Sequence, residues 1–114
     1  MPCDMSGEGW YKNEINYTWN NNSDGNEKVM TYYAKGYFVW GEGDVNVSNI
    51  SGGVSGVPST VTISNRDITS GKGQYAYVFN TFAYVEFSFT ATNSAGFSTD
   101  FSVKIRVNKN GSPF

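Results

Sequence analysis

Residues 85–107 read VEFSFTATNSAGFSTDFSVKIRV, and this stretch decides the fold. Apolar and polar residues alternate along both halves, which are separated by the turn-forming residues Asn-Ser-Ala-Gly at 93–96. Because successive side chains of a strand point to opposite faces, alternation with a period of two predicts a half-buried antiparallel hairpin. The hairpin is expected to bury Phe87, Phe89, Phe101, Val103 and Ile105.

The rest of the chain has the composition of an all-β protein. It contains no Leu, and aromatic residues make up 17% of it. β-Branched and aromatic side chains favour strands, whereas Leu favours helices. Short apolar runs between Gly- and Asn-rich turns predict about seven or eight strands in an antiparallel β-sandwich. Turns are expected at Asp24-Gly25 and at 41–44, loops at 51–59 and 64–73, and a bulge or a change of sheet at Gly36.

The predicted boundaries are those of one small domain. Residues 1–12 are expected to be a loose lead-in, residues 13–110 the β-sandwich, and residues 111–114 a C-terminal tail. A new strand is expected to begin with Tyr75, Tyr77 and Phe79. Cys3 is the only cysteine, so no disulfide can form within the chain, and it is either a free thiol or a lipid-anchor site.

The segment from Val85 to Val107 resembles the closing hairpin of bacterial immunoglobulin-like domains, through Phe-Thr-Ala-Thr-Asn-Ser-Ala-Gly at 89–96 and Phe-Ser-Val-Lys-Ile-Arg-Val at 101–107. The resemblance covers about a fifth of the chain. It implies an Ig-like Greek-key sandwich in a secreted or cell-surface protein. It implies no activity, since a fold does not fix a function.

The residue inventory argues against several classes of function. Without His there is no Ser-His or Cys-His pair and no imidazole ligand for zinc, so we expect no enzyme, cofactor or metal. The net charge of −2, with scattered basic residues, argues against nucleic acid. No apolar run suggests membrane insertion. The segment from Asn20 to Gly25 has partial calcium-loop spacing, but an Asn-rich turn is favoured there.

The binding surface is expected in the first third of the chain. Within residues 32–40, large apolar or aromatic side chains occur at both odd and even positions, and successive residues of a strand face opposite sides. Some of these rings must therefore point away from the core or be covered by another segment. The candidate binding residues are Trp19, Tyr33 and Trp40, with Glu42 and Asp44 at the rim. Glu42 and Asp44 also form a possible carboxylate pair, but a solvated turn is favoured.

The expected function is a non-catalytic binding or adhesion module that recognises carbohydrate or a partner protein. Three alternatives remain open: an Ig-like spacer of a larger surface protein, a phage or viral appendage domain, and a small secreted toxin or inhibitor. A spacer should bury its aromatic residues, whereas a binding module should expose an aromatic platform.

Overall fold

The computed structural model of the chain describes residues 6–20, 27–74 and 81–114. The regular elements of these residues are strands, and no helix that could cross a membrane occurs among them. The strands are β1 (Gly7–Asn20), β2 (Glu27–Gly41), β3 (Asp44–Ser55), β4 (Thr62–Gln74), β5 (Thr81–Thr92) and β6 (Ser98–Asn108). Cys3, the Asp24-Gly25 turn, most of the calcium-like segment and the strand start predicted at Tyr75 lie outside the described residues.

The six described strands form two antiparallel sheets. Sheet A has the order β1-β2-β3 and sheet B the order β4-β5-β6. The predicted all-β class is confirmed, with six described strands where seven or eight were expected. In each sheet neighbouring strands are consecutive in the chain, so the described strands form two meanders and do not show the Greek-key order that the resemblance implies.

The core lies between the two sheets and is centred on β2 and β5. The five residues predicted to be buried from the closing hairpin are all buried. They pack against Met30, Tyr32, Ala34 and Phe38 of β2 and Val45 of β3. Long strands and a narrow core give a rod with principal extents of 64 × 26 × 21 Å.

Each sheet contains one bulge with an Asn in the left-handed region. In sheet A the register shifts between Lys35 and Tyr37, so a bulge occurs at the predicted position, with the extra residue in β3 opposite Gly36. The facing strand holds Asn49 there with a φ of 51°, and Asn65 has a φ of 55° at the corresponding shift in β4. Asn adopts this region more readily than other non-glycine residues, which explains its presence at both sites.

Two predicted loops are wrong in part because pairing overrides local composition. The residues 51–55 continue β3, and 64–73 form most of β4. Gly, Asn and Asp, which occur in this segment, have weak strand preferences, but the β4 backbone pairs with β5 along its length. A Cβ atom at Gly71 would lie 3.0 Å from the Tyr84 ring and one at Gly73 would lie 2.5 Å from the Phe82 ring, so these rings cover the glycines.

The rod has two distinct ends, here called the base and the tip. The base carries the β2–β3 turn, Gly7 and Gly111, and the tip carries residues 56–61 and 93–97. Strand β1 begins at Gly7, inside the segment 1–12 assigned to a lead-in, because Gly7 pairs with Trp40 at the base. The predicted tail is tied down there by a bridge between Pro113 and Val107.

Candidate functional site

The five residues predicted to bind a ligand do not share one surface. Trp19 pairs with Lys28 near the tip, whereas Trp40 pairs with Gly7 at the base. Twelve residues of strand separate these rows, which corresponds to about 40 Å. Trp19 and Trp40 both lie on the inward side of sheet A and pack against the core. Tyr33 lies on the outward side, opposite Glu14.

Trp40 holds the two ends of the domain together at the base. Its indole ring lies so close to Gly7 and Gly111 that a Cβ atom at either position would overlap it. Tyr11 packs against Trp40 with a 6.0 Å centroid separation and donates a 2.6 Å hydrogen bond to the carbonyl oxygen of Gly111. The position of Trp40 therefore indicates a structural role.

Trp19 lies near the tip, where its ring packs against Tyr17 and Phe101 with centroid distances of 5.0 and 6.2 Å. Its buried indole nitrogen has no hydrogen-bond partner among the described residues.

The acidic rim residues occupy the β2–β3 turn. Glu42 is an exposed turn residue with a φ of 54°. Asp44 accepts hydrogen bonds from Lys72 of sheet B. This contact is the largest reason why the pKa of the Asp44 carboxyl lies below its ordinary value of 3.8, and a backbone hydrogen bond from Val45 is the second. Asp44 thus joins the two sheets at one edge.

A set of solvent-facing rings lies instead on the outward side of β1 and β2. The parity argument is confirmed there, because Tyr32 is buried and its neighbour Tyr33 faces outward. We call this surface the aromatic face and define it by Trp10, Tyr33, Tyr37 and Val39. The exposed fractions of Trp10 and Val39 are 53% and 44%.

Trp10 and Tyr37 are directly opposite each other in the β1–β2 pairing. Their ring centroids are 5.2 Å apart at an interplanar angle of 66°, an edge-to-face arrangement that aromatic pairs prefer. Further along the face, the Tyr33 ring covers Gly53 of β3. The rings therefore lie across the sheet surface and form a broad, open platform.

Charged side chains are interleaved with these rings. The Nζ of Lys35 lies 4.7 Å from the centroid of Trp10, and that of Lys12 lies 5.8 Å from the centroid of Tyr33. Tyr37 donates a 2.6 Å hydrogen bond to Glu8, and this bond raises the pKa of the Tyr37 hydroxyl. The aromatic face therefore combines apolar rings with charges of both signs.

Sequence reasoning placed Tyr33 on this face but missed Trp10, Tyr37 and Val39 as members of one surface. Trp10 fell inside the predicted lead-in, so it had no assigned strand partner. Two observations identify these residues: β2 residues next to the buried Tyr32 and Phe38 must face outward, and the β1–β2 register then shows which β1 residue lies beside each of them.

Two shallow depressions lie elsewhere on the described residues. One, of about 300 Å³, lies on sheet B and is lined by Asn65, Ser88, Phe89, Thr90, Asp100, Phe101 and Ser102. The other, of about 240 Å³, lies at the tip and is lined by Trp19, Pro58, Thr60, Val61, Asn93, Ser94 and Ala95. Within the described ranges no group of three or more Cys, Asp or Glu side chains is arranged to hold a metal ion.

Comparison of the chain with protein-family models, with curated proteins and with solved structures finds no match.

Proposed function

We propose that the chain is a non-catalytic binding module of a secreted or cell-surface protein, and that its aromatic face contacts a partner protein. The observation that carries the proposal is Trp10, which is half exposed and packs edge-on against Tyr37. Trp and Tyr supply much of the binding energy at protein interfaces because they bury large surfaces with few rotatable bonds. A contiguous set of such rings on one face is typical of an interaction site.

The shape of the aromatic face favours a protein over a free sugar or another small molecule. Small ligands are bound in clefts that enclose most of their surface. Neither depression includes a residue of the aromatic face. One side of the Trp10 ring also has Lys35 above it, which leaves less ring surface for stacking on a pyranose. A broad partner surface can cover the rings and the charges together.

The surface setting rests on the resemblance of β5 and β6 to the closing hairpin of immunoglobulin-like domains. That hairpin pairs Phe89 with Phe101 and closes through a turn in which Asn93 accepts hydrogen bonds from the amides of Ala95 and Phe97. The resemblance adds the expectation of a secreted or cell-surface location to the proposal.

A spacer is the second candidate, because a rod 64 Å long provides reach. The placement of Gly7 and Gly111 argues against it, since both lie against Trp40 at the base. A spacer that joins modules in series works best when its chain enters at one end and leaves at the other. In this fold the start of β1 and the segment after β6 lie at the same end of the rod.

The test uses labelled protein on two arrays, one of purified extracellular proteins that includes the chain itself and one of glycans. We expect protein binding that is lost in Trp10→Ala and retained in Thr69→Ala, a control on the outward side of sheet B. Binding confined to glycans would overturn the choice of a protein partner. Binding that Trp10→Ala leaves intact would exclude the aromatic face, and absence of binding on both arrays would favour the spacer.

A further inference from the structure

We propose that the partner of the aromatic face is a second copy of this chain, which packs face to face about a two-fold axis. This inference rests on the proposed function and names its partner. A two-fold interface must be self-complementary, because the same patch occurs on both sides. The aromatic face meets this condition because it carries acidic and basic side chains at fixed steps on either side of one aromatic row.

The aromatic row is formed by Trp10 and Tyr37, which pair across β1 and β2. Glu8 lies two residues before Trp10 and Lys12 two residues after it, so both point to the same side of the sheet as Trp10. Each step of two residues is about 6.7 Å along the strand. The charges are therefore equidistant from the row and opposite in sign.

A two-fold axis along this row, in the plane of the face and perpendicular to the strands, reverses the strand direction. It brings Trp10 opposite Trp10 of the second copy, and it brings Glu8 of each copy opposite Lys12 of the other. On β2 the same operation sets the exposed Val39 opposite Lys35, whose methylene stem can pack on an apolar side chain. No like charges in these rows face each other.

Two neighbouring registers of the same two-fold packing are less favourable. An axis along the row of Lys12 and Lys35, which pair across β1 and β2, sets like charges against each other. An axis midway between that row and the aromatic row sets Glu8 opposite Glu14. Like charges in direct opposition across an interface are unfavourable. The charge pattern therefore favours the axis along Trp10 and Tyr37 over these two.

The size of the face sets the strength of the dimer. Because β1 begins three residues before Trp10, an axis along Trp10 lets the two copies overlap from Gly7 to Asn13, a length of about 20 Å, and three strands give a width of about 14 Å, so the projected overlap is roughly 280 Å². Stable interfaces bury about 800 Å² per partner. We therefore expect a reversible dimer that forms at protein concentrations on the order of 10 µM or above.

Charge reversal at Glu8 and Lys12 tests the two-fold pairing directly. In Glu8→Lys alone or Lys12→Glu alone, every cross-copy pair becomes a like-charge pair, and the dissociation constant should rise by about tenfold or more. An equimolar mixture of the two variants restores both pairs in the heterodimer. The double variant Glu8→Lys/Lys12→Glu restores both in the homodimer. Lys104→Glu, the same charge change on the outward side of sheet B, should leave the constant unchanged.

Sedimentation equilibrium of each protein and of the mixture, from about 10 µM to about 1 mM, provides the readout, with thermal melts to show that each variant is folded. A monomer throughout this range would overturn the inference. So would a dimer that Trp10→Ala and Glu8→Lys do not weaken, or a mixture no more associated than its components. A monomer with Trp10-dependent binding to another protein on the array would overturn the self-pairing alone and leave the proposed function standing.

Discussion

Lys72 of β4 donates hydrogen bonds to both carboxylate oxygens of Asp44 in β3, with Nζ to Oδ1 and Oδ2 distances of 2.9 and 3.1 Å. Each residue belongs to an edge strand of a different sheet, so the ion pair joins sheets A and B along one edge at the base. Along the opposite edge the side-chain amide of Asn13 in β1 donates to the carbonyl oxygen of Lys104 in β6. Polar contacts thus border the apolar core on both sides.

The Asp44–Lys72 pair should make stability depend on pH. The hydrogen bond from Lys72 lowers the folded-state pKa of Asp44 below its ordinary value of 3.8. Its contribution is therefore complete above that ordinary value and is lost as the pH falls through the lowered folded-state value. We expect Asp44→Asn to reduce the difference in urea midpoint between about pH 7 and about pH 3.

The control for this measurement is Glu42→Gln in the same turn, because Glu42 makes no ion pair with the described residues. Equal pH dependence in wild type and Asp44→Asn would show that the pair makes no net contribution. Both side chains are about half exposed, so the effect should also shrink in high salt.

Glu42 itself is suboptimal for its turn. Glu42 and Gly43 have φ values of 54° and 78° between the paired residues Gly41 and Asp44, as in a type I′ hairpin turn. Asn-Gly is the favoured pair in this turn because Asn tolerates the left-handed region better than Glu. Glu42→Asn should raise the free energy of unfolding by about 0.5–1 kcal/mol. Urea denaturation measures the change, and a lower midpoint would contradict the turn geometry.

The sequence predicts those strands in which apolar and polar residues alternate, because the alternation alone shows which side chains are buried. The β5–β6 hairpin is of this kind, since residues such as Phe87 and Val103 alternate with polar ones and one side of the sheet faces solvent. Strand β4 is different. Its Ser, Thr and Gly residues carry no alternation, and only the pairing with β5 and the rings over Gly71 and Gly73 make it a strand.

The site was harder to predict because it depends on a long-range register. A two-residue turn at Asp24-Gly25 would set Trp10 opposite Val39, whereas the structure pairs Trp10 with Tyr37. A shift of two residues keeps every side chain on its face but changes its neighbours. Parity could therefore show that Tyr33 points outward. It could not show that Trp40 packs against glycines at the base.

Trp40 and Trp10 should respond differently to truncation. The Trp40 ring packs against Gly7, Gly111 and Tyr11, so Trp40→Ala should lower the free energy of unfolding by about 3 kcal/mol. Trp10 is 53% exposed on the aromatic face, and Trp10→Ala should lower it by less than about 1 kcal/mol. Urea denaturation of both variants at low protein concentration makes the comparison.

The comparison also separates structure from binding. Trp10→Ala should abolish binding through the aromatic face at nearly unchanged stability. A Trp40→Ala variant that is as stable as wild type but no longer binds would move the site to the base and restore the sequence-based assignment of Trp40.

Gly36 allows close contact between the two sheets. A Cβ atom at this position would lie 2.7 Å from Cγ2 of Val47 and 2.8 Å from Cγ2 of Val85, closer than atoms in contact approach. Gly36→Ala should therefore lower the free energy of unfolding by about 1–3 kcal/mol through overpacking. Gly9→Ala is the matched control, because a Cβ there meets no atom within 4 Å. That control should be neutral or slightly stabilising through the unfolded state.

A double variant shows whether the clash with Val85 causes the loss. Val85 is completely buried, so Val85→Ala alone should cost about 2 kcal/mol. The added methyl of Gly36→Ala then occupies part of the space that Val85 vacates, so the double variant should be more stable than the sum of the single effects by about 0.5–2 kcal/mol. Strictly additive losses in urea denaturation would mean that the contact with Val47, within sheet A, limits the residue at position 36. In that case the sheets are not held at their present separation by Gly36.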